Sequence, residues 1–174
     1  HDAAGIGHVR CVRALAELGA NLEAVDNAGR SPLHHAAGNG HESCVRALVE
    51  LGASVDAADK KGRTALHAAA GNGHESCVRA LVEFGASREV ADNKGLTPLH
   101  RAAFNNHKSC VRALAELGAS LEAADKEGRT PLHDAAGIGH VRCVRALAEL
   151  GANLEAVDNA GRSPLHHAAG NGHE

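Results

Sequence analysis

Apolar positions between Ser31 and Leu51 fall into two helical groups separated by a turn. Leu33, Ala36 and Ala37 lie at i, i+3 and i+4, which is one face of a short helix, and Val45, Leu48, Val49 and Leu51 form the stripe of a longer one over His41 to Leu51. Ser31 predicts an N-cap and Pro32 the first helical position, where a missing N–H costs nothing. The short helix ends near Gly38; Asn39 and Gly40 then predict the turn between helices, because they tolerate positive φ, and Gly52 predicts the cap that closes the second helix. From Ala53 to Lys61 the chain turns polar. It ends on Asp59-Lys60-Lys61-Gly62, with Asp first and Gly fourth, as a type I turn prefers. One unit is therefore helix, turn, helix and a projecting hairpin.

The unit recurs. The string Asp26 to His34 returns with small changes at Asp59 to His67, Asp92 to His100, Asp125 to His133 and Asp158 to His166, a period of 33 without insertion. Such a period predicts stacked supersecondary units, each unable to bury its apolar face alone. The expectation is one all-α solenoid over residues 1–174, with units at about 1–25 (partial), 26–58, 59–91, 92–124, 125–157 and 158–174 (partial). Residues 1–42 are identical to residues 133–174, although adjacent units differ from one another. Three origins fit: a recent duplication of a four-repeat block, a deliberate concatenation, or a window on a longer periodic array. The chain opens at the His of one box and stops inside a second helix, without the polar caps that terminal repeats carry, which predicts apolar surface at both ends.

Composition narrows the core and the partners. There is no Trp, Tyr or Met, and Phe84 and Phe104 are the only aromatics, so Leu, Val, Ala and Cys must fill the interior. Lys and Arg number 18 against 21 Asp and Glu, a net charge of -3, which gives no basic excess for nucleic acid. No apolar run approaches the roughly 20 residues that span a bilayer, and the amino terminus lacks a basic region followed by an apolar stretch. Neither nucleic acid nor a membrane is an expected partner.

The Thr-Pro-Leu-His of Thr97 to His100 and Thr130 to His133, the Gly-His of Gly40-His41 and Gly73-His74, and the Gly-Ala that closes each second helix resemble the ankyrin repeat, over all 174 residues. The resemblance implies an L-shaped unit, with short inner helices and β-hairpin or turn fingers on a concave side and longer helices on a convex side. It also implies protein binding by the concave face, no enzymatic activity and no cofactor.

The 14 histidines invite a metal or acid–base reading until they are sorted by column. His1, His34, His67, His100, His133 and His166 close the Pro-Leu-His box; His8, His41, His74, His107, His140 and His173 follow the helix–helix turn; only His35 and its copy His167 fall outside. A catalytic residue is needed once, whereas one repeated in every unit answers a need of every unit, here hydrogen bonding to backbone across adjacent repeats. His41-Glu42-Ser43-Cys44-Val45 begins like a zinc-protease helix, but Val45 stands where the second His belongs. Gly38-Asn39-Gly40 opens like a dinucleotide loop, but Ser43 replaces the third Gly and no strand precedes it. The cysteines, Cys11, Cys44, Cys77, Cys110 and Cys143, form one column of expected buried thiols, too far apart on stacked helices to pair, which suits a cytoplasmic or other reducing compartment. Arg13, Arg46, Arg79, Arg112 and Arg145, each with a Glu four residues on, and the pairs Glu42–Arg46 and Glu75–Arg79 predict a charged convex face.

The least regular unit, 92–124, carries Leu96 for Arg, Arg101 after the His, Phe104 and Asn106 for glycines and Lys108 for Glu. With the finger that follows, it supplies the candidate protein-binding set: Asn93, Lys94, Leu96, Arg101, Phe104, Asn105, Lys126, Glu127, Arg129 and Asp134. Leu96 and Phe104 would form an apolar pair ringed by charge, as a desolvated anchor requires. A Phe folded back over helix ends is the alternative. The expected function is a non-enzymatic scaffold for a protein partner; the rival is an engineered or structural array without a specific partner, prone to head-to-tail self-association.

Overall fold

The computed structural model of the chain describes residues 1–172. Among them, short and long helices alternate. The short ones are α1 (Asp2–Gly5), α3 (Pro32–Gly38), α5 (Ala65–Gly71), α7 (Pro98–Phe104), α9 (Pro131–Ile138) and α11 (Pro164–Gly170). The long ones are α2 (Val9–Glu17), α4 (Glu42–Glu50), α6 (Glu75–Glu83), α8 (Lys108–Glu116) and α10 (Val141–Glu149). Short helices stack on short and long on long, so the apolar face of each unit is closed by its neighbours. The core is a line of fully buried leucines, two per complete unit: Leu33 and Leu48, Leu66 and Leu81, Leu99 and Leu114, Leu132 and Leu147.

Ser31, Thr64, Thr97, Thr130 and Ser163 cap the short helices in extended backbone, as the box predicts. The histidine three residues on completes each cap and also ties units together. In His67, Nδ1 accepts the Thr64 N–H at 3.1 Å while Nε2–H donates to the Leu96 carbonyl of the next unit at 2.9 Å. His34, His100 and His133 make the same forward bond to the carbonyls of Arg63, Arg129 and Arg162. A ring that donates at Nε2 and accepts at Nδ1 is neutral, and burial pushes these four imidazoles below their ordinary pKa, against the opposing carbonyl bonds. The second histidine column points backward: His41, His74 and His140 donate to the carbonyls of Gly5, Gly38 and Phe104 in the preceding unit. Both columns thus stitch backbone across repeats, and His173 lies outside the described residues.

The approach of these rings explains a glycine. At Gly40, φ is +78°, and a Cβ would stand 2.6 Å from Nδ1 of His74. Asn106 takes the same place in its unit with φ 63°, the left-handed conformation that Asn tolerates better than most residues.

The fingers are turns, with no strand among the described residues; they are joined by single backbone bonds such as Asn93 N–H to the Lys61 carbonyl at 2.9 Å. One expectation is corrected and another refined. Cys44, Cys77, Cys110 and Cys143 are buried, and burial pushes the last three up to about 11, but Cys11 is exposed because α2 has a long helix on one side only. On the long-helix face, arginine pairs with the glutamate 37 residues on, in the next unit, instead of its own i+4 neighbour: Arg13–Glu50 at 2.7 Å, Arg46–Glu83 at 3.0 Å, Arg79–Glu116 at 2.8 Å, and Arg112–Glu149. Arg followed by Glu at i+4 is the weaker order on a helix, whereas Glu42–Arg46 and Glu75–Arg79, in the stronger order, do form.

Candidate functional site

Each finger is built on an aspartate that faces the chain. Asp59 is 2% exposed at its side chain; Oδ1 accepts the N–H groups of Lys61 and Arg63 at 2.8 and 2.9 Å, and Oδ2 accepts Nε–H and Nη2–H of Arg63 at 2.9 and 2.6 Å. Asp125 binds Glu127 N–H and Arg129 in the same way. Burial alone raises these carboxyls, but the guanidinium and backbone bonds outweigh it and hold both below the ordinary range.

The finger of the irregular unit reaches the same result by another route. Leu96 stands where the sister units have the finger arginine, and Arg101, one helical turn into α7, swings over to bind Oδ2 of Asp92 instead. Leu96 and Arg101 are one exchange: the cation has moved from finger to helix. In consequence Leu96 is buried, 8% exposed, and does not share a surface with Phe104, so the expected apolar pair is a single ring. Asp134, the other correction, is 7% exposed.

The remaining candidates reach solvent. Phe104 is 47% exposed. Asn105 is exposed, and its Nδ2 donates to the Gly71 carbonyl at 2.6 Å. Asn93, Lys94, Lys126 and Glu127 are exposed on the finger tips, where Asn93 Nδ2 donates to the Lys60 carbonyl at 3.1 Å. Arg129 is half-buried and spans Asp125 and, at 3.3 Å, Glu127. These residues lie on the face shared by fingers and short helices.

A column that the sequence reading did not treat as one organises this face. Positions 2, 35, 68, 101, 134 and 167 hold Asp, His, Ala, Arg, Asp and His. His35 donates to Asp26 Oδ2 at 3.1 Å, His167 to Asp158 Oδ2 at 2.8 Å, and Arg101 to Asp92. At Ala68 the side chain is missing, and a recess of about 200 Å³ opens there between Arg63, Asn72 and Arg101. At position 134 the column carries an acid, whose buried Oδ2 has no hydrogen-bond partner. Desolvation pushes Asp134 up to about 7, with Arg129 and Arg101 pulling it down and Asp125 and Glu127 pushing it further up. The signal for both sites was available as one polar column with an alanine and two acids in it, of which Asp2 is exposed.

Among the described residues, no group of three or more His, Cys, Asp or Glu is placed to hold a metal ion, and no helix is long and apolar enough to cross a membrane. The family model described as "Ankyrin repeats (3 copies)" matches residues 1–59, 52–125 and 117–174. No curated protein matches the chain.

Proposed function

Since the chain belongs to the ankyrin-repeat family, whose members are generally protein–protein interaction modules, we propose that it is a non-enzymatic scaffold that binds a protein partner on the face of fingers and short helices. The observation that carries this is Phe104, half-exposed at the end of α7 where sister units have Gly, next in sequence to exposed Asn105, with Lys94, Lys126 and Glu127 exposed on the fingers of its own and the following unit. An exposed ring with a polar surround is how an interface anchor is built. The long-helix face, by contrast, is laced by ion pairs half-exposed to water, each worth under about 1 kcal/mol. Four buried, unpaired thiols support a reducing intracellular compartment.

The test uses photo-crosslinking side chains at Lys94 and Asn105 on one face and at Arg79 and Arg112 on the other, in cell extract. A partner captured from the first pair, and lost in Phe104→Gly, supports the reading; capture from the long helices alone overturns it.

A second reading, head-to-tail self-association, is favoured by exposed Leu15, Leu18 and Val25 at one end of the stack and Val141, Leu154 and Leu165 at the other. Light scattering that shows a strict monomer at millimolar concentration removes it.

A further inference from the structure

The recess over Ala68 is a vacated place within a regular series. His35 and Arg101 on either side fill the corresponding places in their own units, each with a nitrogen on the finger aspartate. Ala68 contributes nothing, so the space between α3 and α7 stays open above Asp59.

Its chemistry is one-sided. The carboxylates lie on the floor and are occupied: Asp59 and Asp92 are each 2% exposed at the side chain, and Asp59 already accepts four hydrogen bonds. The guanidiniums form the walls and keep solvent-facing edges, with Arg30 46%, Arg63 33% and Arg101 26% exposed. Each guanidinium carries about five N–H donors, more than its aspartate consumes; Arg101 Nε is buried and without a partner, so the Arg101 donors that face solvent are those of its Nη groups. Lys60, Lys61 and Lys94 on the adjoining tips add exposed positive charge. Asn72 and Asn105 at the rim each spend one amide N–H on the Gly38 and Gly71 carbonyls, at 2.7 and 2.6 Å, which leaves a second N–H and the oxygen of each amide for a ligand.

We propose that this recess seats an acidic side chain of a protein partner, its carboxylate held between the guanidinium edges of Arg63 and Arg101. A planar guanidinium meets a carboxylate two N–H groups at a time, and two such edges across a space with room for one side chain select a Glu or Asp over a neutral residue. The rim amide oxygens of Asn72 and Asn105 accept backbone N–H groups of the same peptide strand. This rests on the reading that the partner docks on the finger face, and it supplies the partner's chemistry: an acidic segment, with one carboxylate entering over Ala68.

The probe is an end-blocked hexaglutamate peptide, titrated at low salt into the full chain while the arginine Nε–H resonances are followed by NMR. Arg63 and Arg101 are expected to shift, and Arg79 and Arg112 on the long helices to stay in place. Ala68→His, which inserts the side chain that α3 carries at His35, is expected to weaken binding at least fivefold with an unchanged melting curve. Asn72→Asp, a rim substitution that leaves the recess open, is expected to weaken it at least threefold. Hexaglutamate binding indifferent to both substitutions, or tighter binding of hexalysine, overturns the assignment. If the peptide ignores the recess while partner crosslinks from Lys94 and Asn105 persist, the recess alone falls; crosslinks from the long helices only remove the docking reading itself.

Discussion

Two places on the same face, two units apart on the same 33-residue frame, have opposite characters. Over Ala68 a side chain has been removed and the space stands open to water between arginines. At Asp134 an acid has been added and closed over. The cover is legible in the glycines of sister units: a Cβ at Gly38, Gly71 or Gly137 would lie 3.6 Å from the Cβ of Ala68, Arg101 or His167. The same stacking sets Phe104 against Asp134, and the only buried member of the column is the one that faces a phenyl ring. The lesson is that the frame fixes position and leaves hydration to one or two side chains. A polar group at this position is cheap where water or a finger aspartate meets it and costly where a ring excludes both.

If the frame is shared, removing its stitch should hurt both places alike, and this is the largest effect expected. His67→Ala and His100→Ala each leave a buried cap N–H and a carbonyl without partners and should cost about 3 kcal/mol in urea unfolding. Unequal losses would break the comparison at its base. The same histidines set the acid response. Their folded pKa lies below the ordinary 6.5, so the native state binds fewer protons; the stability they give is complete above about pH 6.5 and declines as pH falls below it.

Asp134 has the opposite slope. Its folded pKa, about 7, lies above the ordinary 3.8, so the native state binds the extra proton, and stability is lost as pH rises from about 4 to about 7. Asp134→Asn, which keeps the shape without the charge, should stabilise the chain at pH 8 by on the order of 2 kcal/mol and leave it unchanged at pH 4. Paired urea melts at the two pH values measure the difference. An Asn variant no more stable at pH 8 would mean that water reaches the carboxylate, and the contrast with the open recess would vanish.

Much of the fold was legible because its signals are local and repeated. Ser31 and Pro32 begin α3, Gly40 turns the chain, and Leu33, Val45 and Leu48 fall on buried stripes as their spacing predicts. The histidine columns were legible as backbone binders from their recurrence alone. The binding face was read less well, because its chemistry is set by exchanges between elements. Leu96 in a finger and Arg101 in a helix look like two oddities in sequence; only the finger aspartate that both positions reach makes them one substitution, and only then does Leu96 go inside. The charged long-helix face was legible, but not its pairing across units, for a related reason: Arg46 reaches Glu83 of the next helix as well as Glu42 of its own. Contacts between units need the stacking distance, which the sequence does not carry.

The smallest effect is the most diagnostic for the contrast between the two places. Phe104→Gly restores the residue of the sister units and should change overall stability by less than about 1 kcal/mol at pH 8, because the added backbone freedom at the end of α7 is offset by rehydration of the Asp134 carboxylate. What should move is the titration of that carboxylate. With the ring gone, water enters from the side of α7, while Arg101 and Arg129 continue to favour the charged form, so the midpoint should fall from about 7 toward the ordinary carboxylate range. The Asp134 Cγ resonance, followed by carbon NMR from pH 3 to pH 9 in the two proteins, reports this directly. A midpoint that stays near 7 without the ring would show that the acid is buried by the following unit, from the side of His167, and that Phe104 is free to serve as an anchor without uncovering anything beneath it.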